Sequence, residues 1–214
     1  MPYTANGIDI IDAQIFEPSY GCWHADLELD TEADLSGAIS LDLEGVTFSA
    51  HILRGGIEGG RWLGRIIGGA GGLSATLDAR SYISTAISFV LSDVLTEAGE
   101  TSDPGSVDYS GHEVATWTRT HGKASHALAA AANEVGANWR ISRSGGVLIA
   151  PDTFPPLDIE YTLTDQRPDL DSVIIAPTAA DLVSPAVTFD GRRVSYVATS
   201  VEPRALRQTI WFLA

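Results

Sequence analysis

The first 53 residues hold no lysine or arginine against ten aspartates and glutamates, and the whole chain carries a formal charge of −15. A surface so short of cations repels phosphate at long range, which argues against a tight nucleic-acid binder. It is compatible with a wall past which DNA slides without sticking. The single cysteine, Cys22, excludes an internal disulfide. As a nucleophile it would need a base and an activating environment, and beyond His24, two residues on, the sequence supplies neither. No apolar run reaches the ~18 residues that a helical membrane span needs. The start lacks a basic segment followed by an apolar one, so no signal peptide is expected and synthesis in the cytoplasm is.

What is present is a globular composition, 44% apolar over 214 residues, enough for a sizeable core. Residues 8–53 alternate with period two. Ile8, Ile10 and Ile11 begin it; Trp23, Ala25, Leu27 and Leu29 follow; then come Ile39, Leu41 and Leu43, and Val46, Phe48, Ala50 and Ile52. In His24–Asp30 the carboxylates fall opposite the leucines, the pattern of a half-buried sheet with one acidic, wet face. Residues 54–72 then contain nine glycines and the first three arginines, Arg54, Arg61 and Arg65. Trp62, Leu63, Ile66 and Ile67 suggest a strand within that run, and short strands with glycine at the corners favour a small barrel or sandwich.

The period changes at 83–98, where Ile83, Ile87, Val90, Leu91, Val94 and Leu95 fall on one helical face, with Ser81 or Ser84 as cap and Gly99 as stop. Residues 100–111 read as a loop, and 124–135 as an alanine-rich helix ending before Gly136. A hairpin follows, Trp139 and Ile141 returning through Ser144-Gly145-Gly146 to Val147–Ile149. Pro151, Pro155 and Pro156 mark a boundary, after which strands are expected at 186–189, 194–199 and 209–213, with Asp190-Gly191 as a turn. The fold class is therefore α+β, mainly β. It divides into a barrel over 1–80, an α/β domain over 81–150 and a β-rich segment over 151–214 that packs back on the barrel or forms part of a second one.

The chemistry-bearing patterns are thin. The glycine run lacks Gly-x-x-x-x-Gly-Lys-Ser/Thr, and Gly68-Gly69-Ala70-Gly71-Gly72 is not followed at once by a helix as a dinucleotide fingerprint requires. Its glycines instead suit positive φ and close backbone approach. His112-Glu113 lacks a second histidine at position 116, and the other histidines, His24, His51, His121 and His126, have no ligand spacing. Gly-x-Ser-x-Gly is absent. Asp165, Asp169 and Asp171 fall in a proline-containing loop without a calcium-loop spacing. No cofactor, metal or catalytic residue is expected. The five tryptophans are expected to pack in the core; exposed, they would suit sugar rings or a protein interface.

Four stretches carry a resemblance. They are Gly21–Leu27 leading to Leu43–Phe48, Arg54–Gly56 through Arg65–Leu73, the helix Ala86–Glu100, and Trp117–Arg119 through Ala137–Ile141 with a closing Arg192–Val197. In pattern and order the chain resembles the baseplate hub and tail-tip proteins of tailed bacteriophages, particularly Mu-like phages and related siphophages. The resemblance implies a tube-like barrel, an α/β domain and further β structure. It also implies a trimer whose ring continues the tail tube, holds the central spike or fibre below, and conducts DNA as transiting cargo. The expected place is the virion tail tip, after assembly in host cytoplasm. A chain of this length leaves a complete second barrel doubtful and leaves open a distal tail or companion tip protein. The rival classes are a carbohydrate- or receptor-binding module and a tail-borne cell-wall hydrolase. The expected subunit-interface and barrel-corner residues are Arg54, Arg61, Arg65, Gly68, Gly69, Gly71 and Gly72. Asp26, Glu28, Asp30 and Asp42 are expected to face the lumen.

Overall fold

The computed structural model describes residues 3–177, 182–203 and 205–213. The alternating N-terminal segments are strands β1 (Ile8–Pro18), β2 (His24–Leu29), β3 (Ala38–Leu43), β4 (Val46–Glu58) and β5 (Arg61–Gly68). Alternation sorts their side chains: in β2, Ala25, Leu27 and Leu29 are buried while His24, Asp26 and Glu28 point outward. With the short strand Thr4–Ala5 they close a six-stranded barrel in the order Thr4–Ala5, β3, β4, β5, β2, β1 and back to Thr4–Ala5. Trp62, Phe48, Ile15, Leu41 and Ile66 fill it, so the barrel is a packed core and not a pore.

The middle of the chain forms β6 (Arg80–Ala86), α1 (Ile87–Ala98), β7 (Glu113–Arg119), α2 (Ala124–Asn133) and the hairpin β8 (Asn138–Ile141) with β9 (Val147–Ala150). Helix α1 begins four residues later than its periodicity predicts, because Arg80–Ala86 pairs antiparallel with β7. Neither Ser81 nor Ser84 caps it; its N-cap is Ala86, with no side-chain hydrogen bond. Gly99, at φ 70°, ends the helix as expected and donates to the carbonyls of Leu95 and Thr96. The β6–β7 ribbon escaped sequence reading because most of its residues are exposed on both faces, which erases alternation. Ala124, Ala127, Ala131 and Ala132 of α2 are buried, and the helix packs against α1.

The C-terminal part forms β10 (Tyr161–Arg167), β11 (Ser172–Pro177), β12 (Arg192–Glu202) and β13 (Ala205–Phe212). Asp190 and Gly191, both at positive φ, make the expected turn, although the strand before it is only Thr188–Phe189. The strand expected at 209–213 is the second half of β13. Asp165 lies in β10 and not in a loop, a correction; β10 is exposed at every residue and shows no apolar period. Asp171, at φ 49°, pairs with Arg192 beyond it.

Strand β1 joins the two halves. Its first residues pair with Thr4–Ala5 and close the barrel, while Ala13–Pro18 pair with β12. One antiparallel sheet therefore runs β4-β5-β2-β1-β12-β13-β11-β10 without a break. A second, smaller core lies under its C-terminal part, with Ile175, Val183, Val194, Val197 and Ile210 fully buried.

Candidate assembly surface

The glycine run sits on the β4–β5 hairpin and the turn after it, and close contact explains most of it. The Trp62 indole lies across the hairpin between Gly55 and Gly64; a Cβ on either would come within 2.2 Å of the ring. Gly68 makes the same room for Trp23, with a Cβ 2.4 Å from Nε1. Gly69 and Gly71 take φ of 79° and 84°, which favours glycine. At Gly72 a Cβ would fall 1.6 Å from the Ala98 carbonyl oxygen at the end of α1. The turn does hold an anion, and it is the protein's own: the buried Glu100 carboxylate accepts hydrogen bonds from the Ala70 N–H at 2.9 Å and the Gly72 N–H at 2.8 Å. Successive backbone N–H groups make such a concavity, and here it ties the barrel to α1.

The arginines meet the acidic strand. Arg65 makes a bidentate pair with Asp26, Nε to Oδ1 at 2.7 Å and Nη2 to Oδ2 at 2.6 Å, and Arg61 pairs with Glu28. The hydrogen bond from Arg65 holds the Asp26 carboxyl below the usual carboxylate range. Arg54 stands directly opposite Arg65 across the strands, exposed, and no carboxylate among the described residues is in ion-pair contact with it. Asp30 follows β2 and is exposed. Asp42 is on β3, outside the eight-stranded run, and accepts the Gly45 N–H at 2.8 Å to close the β3–β4 turn.

Asp26 and Glu28 belong to a larger surface. Register pairs run from Arg65 to Asp26, Gln14, Ser200 and Arg207, all on the face of the sheet turned away from both cores. In the next row Asp12 stands opposite Glu28. Burial, with help from Glu202 and Glu28, raises the Asp12 carboxyl above its ordinary range. Phe16 stacks on His24 at 5.0 Å and faces Tyr196, which packs against Trp211, so aromatic side chains bridge barrel and C-terminal strands on this face. The face is one continuous wall of mixed charge.

Sequence reasoning missed the residue that fixes the two halves together. Arg143, in the turn of the β8–β9 hairpin, makes a bidentate pair with the buried Glu17 at 2.8 Å on each side. It also donates to the carbonyls of Leu182 (3.2 Å) and Val183 (2.6 Å) and lies over the Phe48 ring. One guanidinium thus touches the barrel and the C-terminal segment from a hairpin in the middle. A signal was there: Glu17 follows Ala13 and Ile15 on the core-facing parity of β1, where a carboxylate needs a cation.

The remaining candidates stay apart. Burial and Glu100 push the Cys22 thiol up to about 12, which disfavours the thiolate a nucleophile needs. Among the described residues no three of His, Cys, Asp and Glu gather as metal ligands, and no helix is long and apolar enough to cross a membrane. Trp23, Trp62 and Trp117 are buried, whereas Trp139 and Trp211 are only partly so. Trp139 lines a 210 Å³ cleft with Tyr20, Arg140 and Asp152, where the Tyr20 hydroxyl donates to Asp152 at 2.7 Å.

No family model and no curated protein matches the sequence. Solved structures do match the fold. A 43 kDa tail protein of prophage MuSo2 from Shewanella oneidensis superposes with a TM-score of 0.69 at 11% identity, over 99% of this chain and 96% of that one. The c3393 protein of E. coli gives 0.67 at 12% identity, over 100% and 77%; it is described as a type VI secretion component structurally similar to the T4 bacteriophage tail proteins gp27 and gp5. A tail protein from Neisseria meningitidis MC58 gives 0.65 at 11% identity, over 98% and 96%. The chain has the fold of these phage tail proteins.

Proposed function

We propose that this chain is a structural protein of a phage tail, a hub at the tail tip whose copies form a ring. The ring continues the tube, receives the distal tail or tube protein above, holds a spike or fibre below, and lets DNA pass. The fold it shares with phage tail proteins supports the tail role. The observation that carries the ring is the eight-stranded wall: one face is covered by two cores, while the other is bare from the barrel to the C-terminal strands. A sheet left wet on one side over this width suits the lining of a channel.

Strand spacing favours three copies. Three walls of eight strands give 24, and at ~4.8 Å per strand they enclose a circle roughly 37 Å across, more with tilt. Two copies give roughly 25 Å, which side chains from opposing walls would close to a duplex. On this reading Asp26 and Glu28 line the lumen as Arg-paired carboxylates. Arg65 and Arg61 cancel much of their charge, so the wall neither grips nor strongly repels the phosphates passing it. Its work is assembly and conduction, with no chemistry of its own. Native mass spectrometry of the purified chain tests this: a trimer is expected, and a monomer at every concentration up to hundreds of micromolar would contradict it.

The cleft beside Trp139 favours one second reading, a receptor- or glycan-binding role at the tail tip. Binding of host surface glycan lost in Trp139→Ala would support it.

A further inference from the structure

The cleft between the β8–β9 hairpin and the end of β1 holds a charge that the chain does not neutralise. Register pairs set Asn138 opposite Ala150 and Arg140 opposite Leu148, and alternation puts all four on the face of the hairpin that lines the cleft. Trp139 falls on the other parity with Ile149 and packs against the main core. The polar grip of the cleft on this hairpin therefore comes from Asn138 and Arg140, not from the indole.

Arg140 is partly buried, and among the described residues its guanidinium makes no hydrogen bond or ion pair. The carboxylates around it are engaged elsewhere. Glu17 is held by Arg143 at 2.8 Å, and Asp103 accepts the Gly105 N–H at 2.8 Å and the Ser144 hydroxyl at 3.1 Å. Asp152 accepts the Tyr20 hydroxyl at 2.7 Å and the Asn138 amide at 3.1 Å. Burial is the larger influence on Arg140 and holds it below its ordinary range, against the pull of these three carboxylates. A desolvated guanidinium without a partner costs free energy, and its planar fork fits a carboxylate. Arg193 acts on the Tyr20 hydroxyl as well, so two cations stand there against the one carboxylate of Asp152, in a chain of net charge −15.

Asp152 limits what the anion can be. Each of its oxygens accepts one hydrogen bond from the protein and keeps a lone pair for a further donor. A bare anion such as phosphate would be repelled by Asp152, whereas a ligand with a carboxylate at one end and hydroxyl donors at the other satisfies both groups. The space, 210 Å³, is about seven times the ~30 Å³ share of a water, room for one sugar unit and not for a chain of them. The Tyr20 ring, 41% exposed, adds an apolar face of the kind on which a sugar ring packs. We infer that this cleft binds a carboxylate-bearing sugar, a hexuronic acid unit, with Arg140 clamping the carboxylate and Asn138 and Asp152 taking the ring hydroxyls. The inference rests on the glycan reading above and names its ligand class.

Isothermal titration and saturation-transfer NMR of the full chain test it, with D-glucuronate and D-galacturonate as probes against D-glucose, D-galactose, acetate and L-glutamate. At least one uronate is expected to bind roughly tenfold tighter than its neutral counterpart, because the neutral sugar leaves Arg140 unpaired. Arg140→Gln should abolish that preference, and Arg140→Lys, which keeps the charge and loses the fork, should restore only part of it. Asp152→Asn should weaken uronate binding and leave the preference over the neutral sugar in place. Should Arg140→Gln fail to fold, the Arg140 Nε–H signal of the parent reads the same contact: it should shift with uronate and not with glucose, and its failure to move would overturn the inference. Neutral and acidic sugars binding equally well would overturn the carboxylate clamp and leave the glycan reading standing. Acetate or L-glutamate binding as tightly as either uronate would overturn the sugar in favour of a plain carboxylate or a peptide. No binding of any sugar at tens of millimolar would remove both the clamp and the glycan reading.

Discussion

The barrel and the C-terminal sheet share strand β1 and treat their edges in opposite ways. The barrel closes on itself, and among the described residues the Leu53–Glu58 stretch of its hairpin pairs with β5 on one side and has no strand beside its outer edge. The C-terminal sheet stays open and ends in β10, a strand exposed at all of its residues. The difference teaches where stability and assembly are kept. A closed barrel buries Trp62, Phe48 and Ile66 without help, whereas an open sheet leaning on a small core relies on β1 and Arg143 to stay in place.

The strongest way to break this comparison is to cut the tie. Glu17→Ala leaves Arg143 without its carboxylate, and Arg143→Ala leaves Glu17 buried and unpaired; each is expected to cost about 3–5 kcal/mol by urea denaturation. Hydrogen exchange should show β11–β13 opening before β2–β5. Equal loosening of both regions would mean that Arg143 does not join them.

The next perturbation stays within the barrel. Gly72→Ala drives a Cβ into the Ala98 carbonyl, a backbone atom that cannot turn aside, and should cost about 1–3 kcal/mol. Gly56→Ala in the same run meets nothing within 4 Å and has no positive φ, so its melting temperature should stay close to that of the parent. Similar losses in the two variants would contradict the close-contact reading of the run.

Smaller effects distinguish folding from assembly. Arg61→Glu breaks an exposed, solvent-screened pair with Glu28 and should leave the monomer's melting temperature close to that of the parent, while lowering the trimer fraction seen by light scattering. Asp12→Asn should stabilise by a few tenths of a kcal/mol at neutral pH, since it removes a carboxylate set against Glu28 and Glu202. The sign follows from the raised folded-state pKa. Ionised Asp12 weakens the fold at pH 7, and the gain from Asn should vanish as pH falls below the ordinary value of 3.8, where Asp12 is protonated in both states.

The same contrast decides what was legible in the sequence. Barrel strands and α1 bury one face each, so Ala25, Leu27 and Leu29, or Val90, Leu91 and Val94, announce their period. Strands β6, β7 and β10 bury little, so Asp165 looked like part of a loop. Arg61 and Arg65 meet the acidic strand, but which partner each takes depends on β2–β5 register, which composition does not encode. The turn Gly69–Gly72 kept the shape of an anion cradle; its ligand, Glu100, lies 28 residues beyond Gly72 and becomes visible only once α1 folds back.

The central claim is that barrel and C-terminal sheet form one wall around one channel. Electron cryomicroscopy of the assembled oligomer tests it most directly. The account predicts a ring of three subunits with Gln14, Asp26, Glu28, Ser200 and Arg207 on the lumen side and both cores outside it. A ring with these five side chains on its outer surface would contradict it.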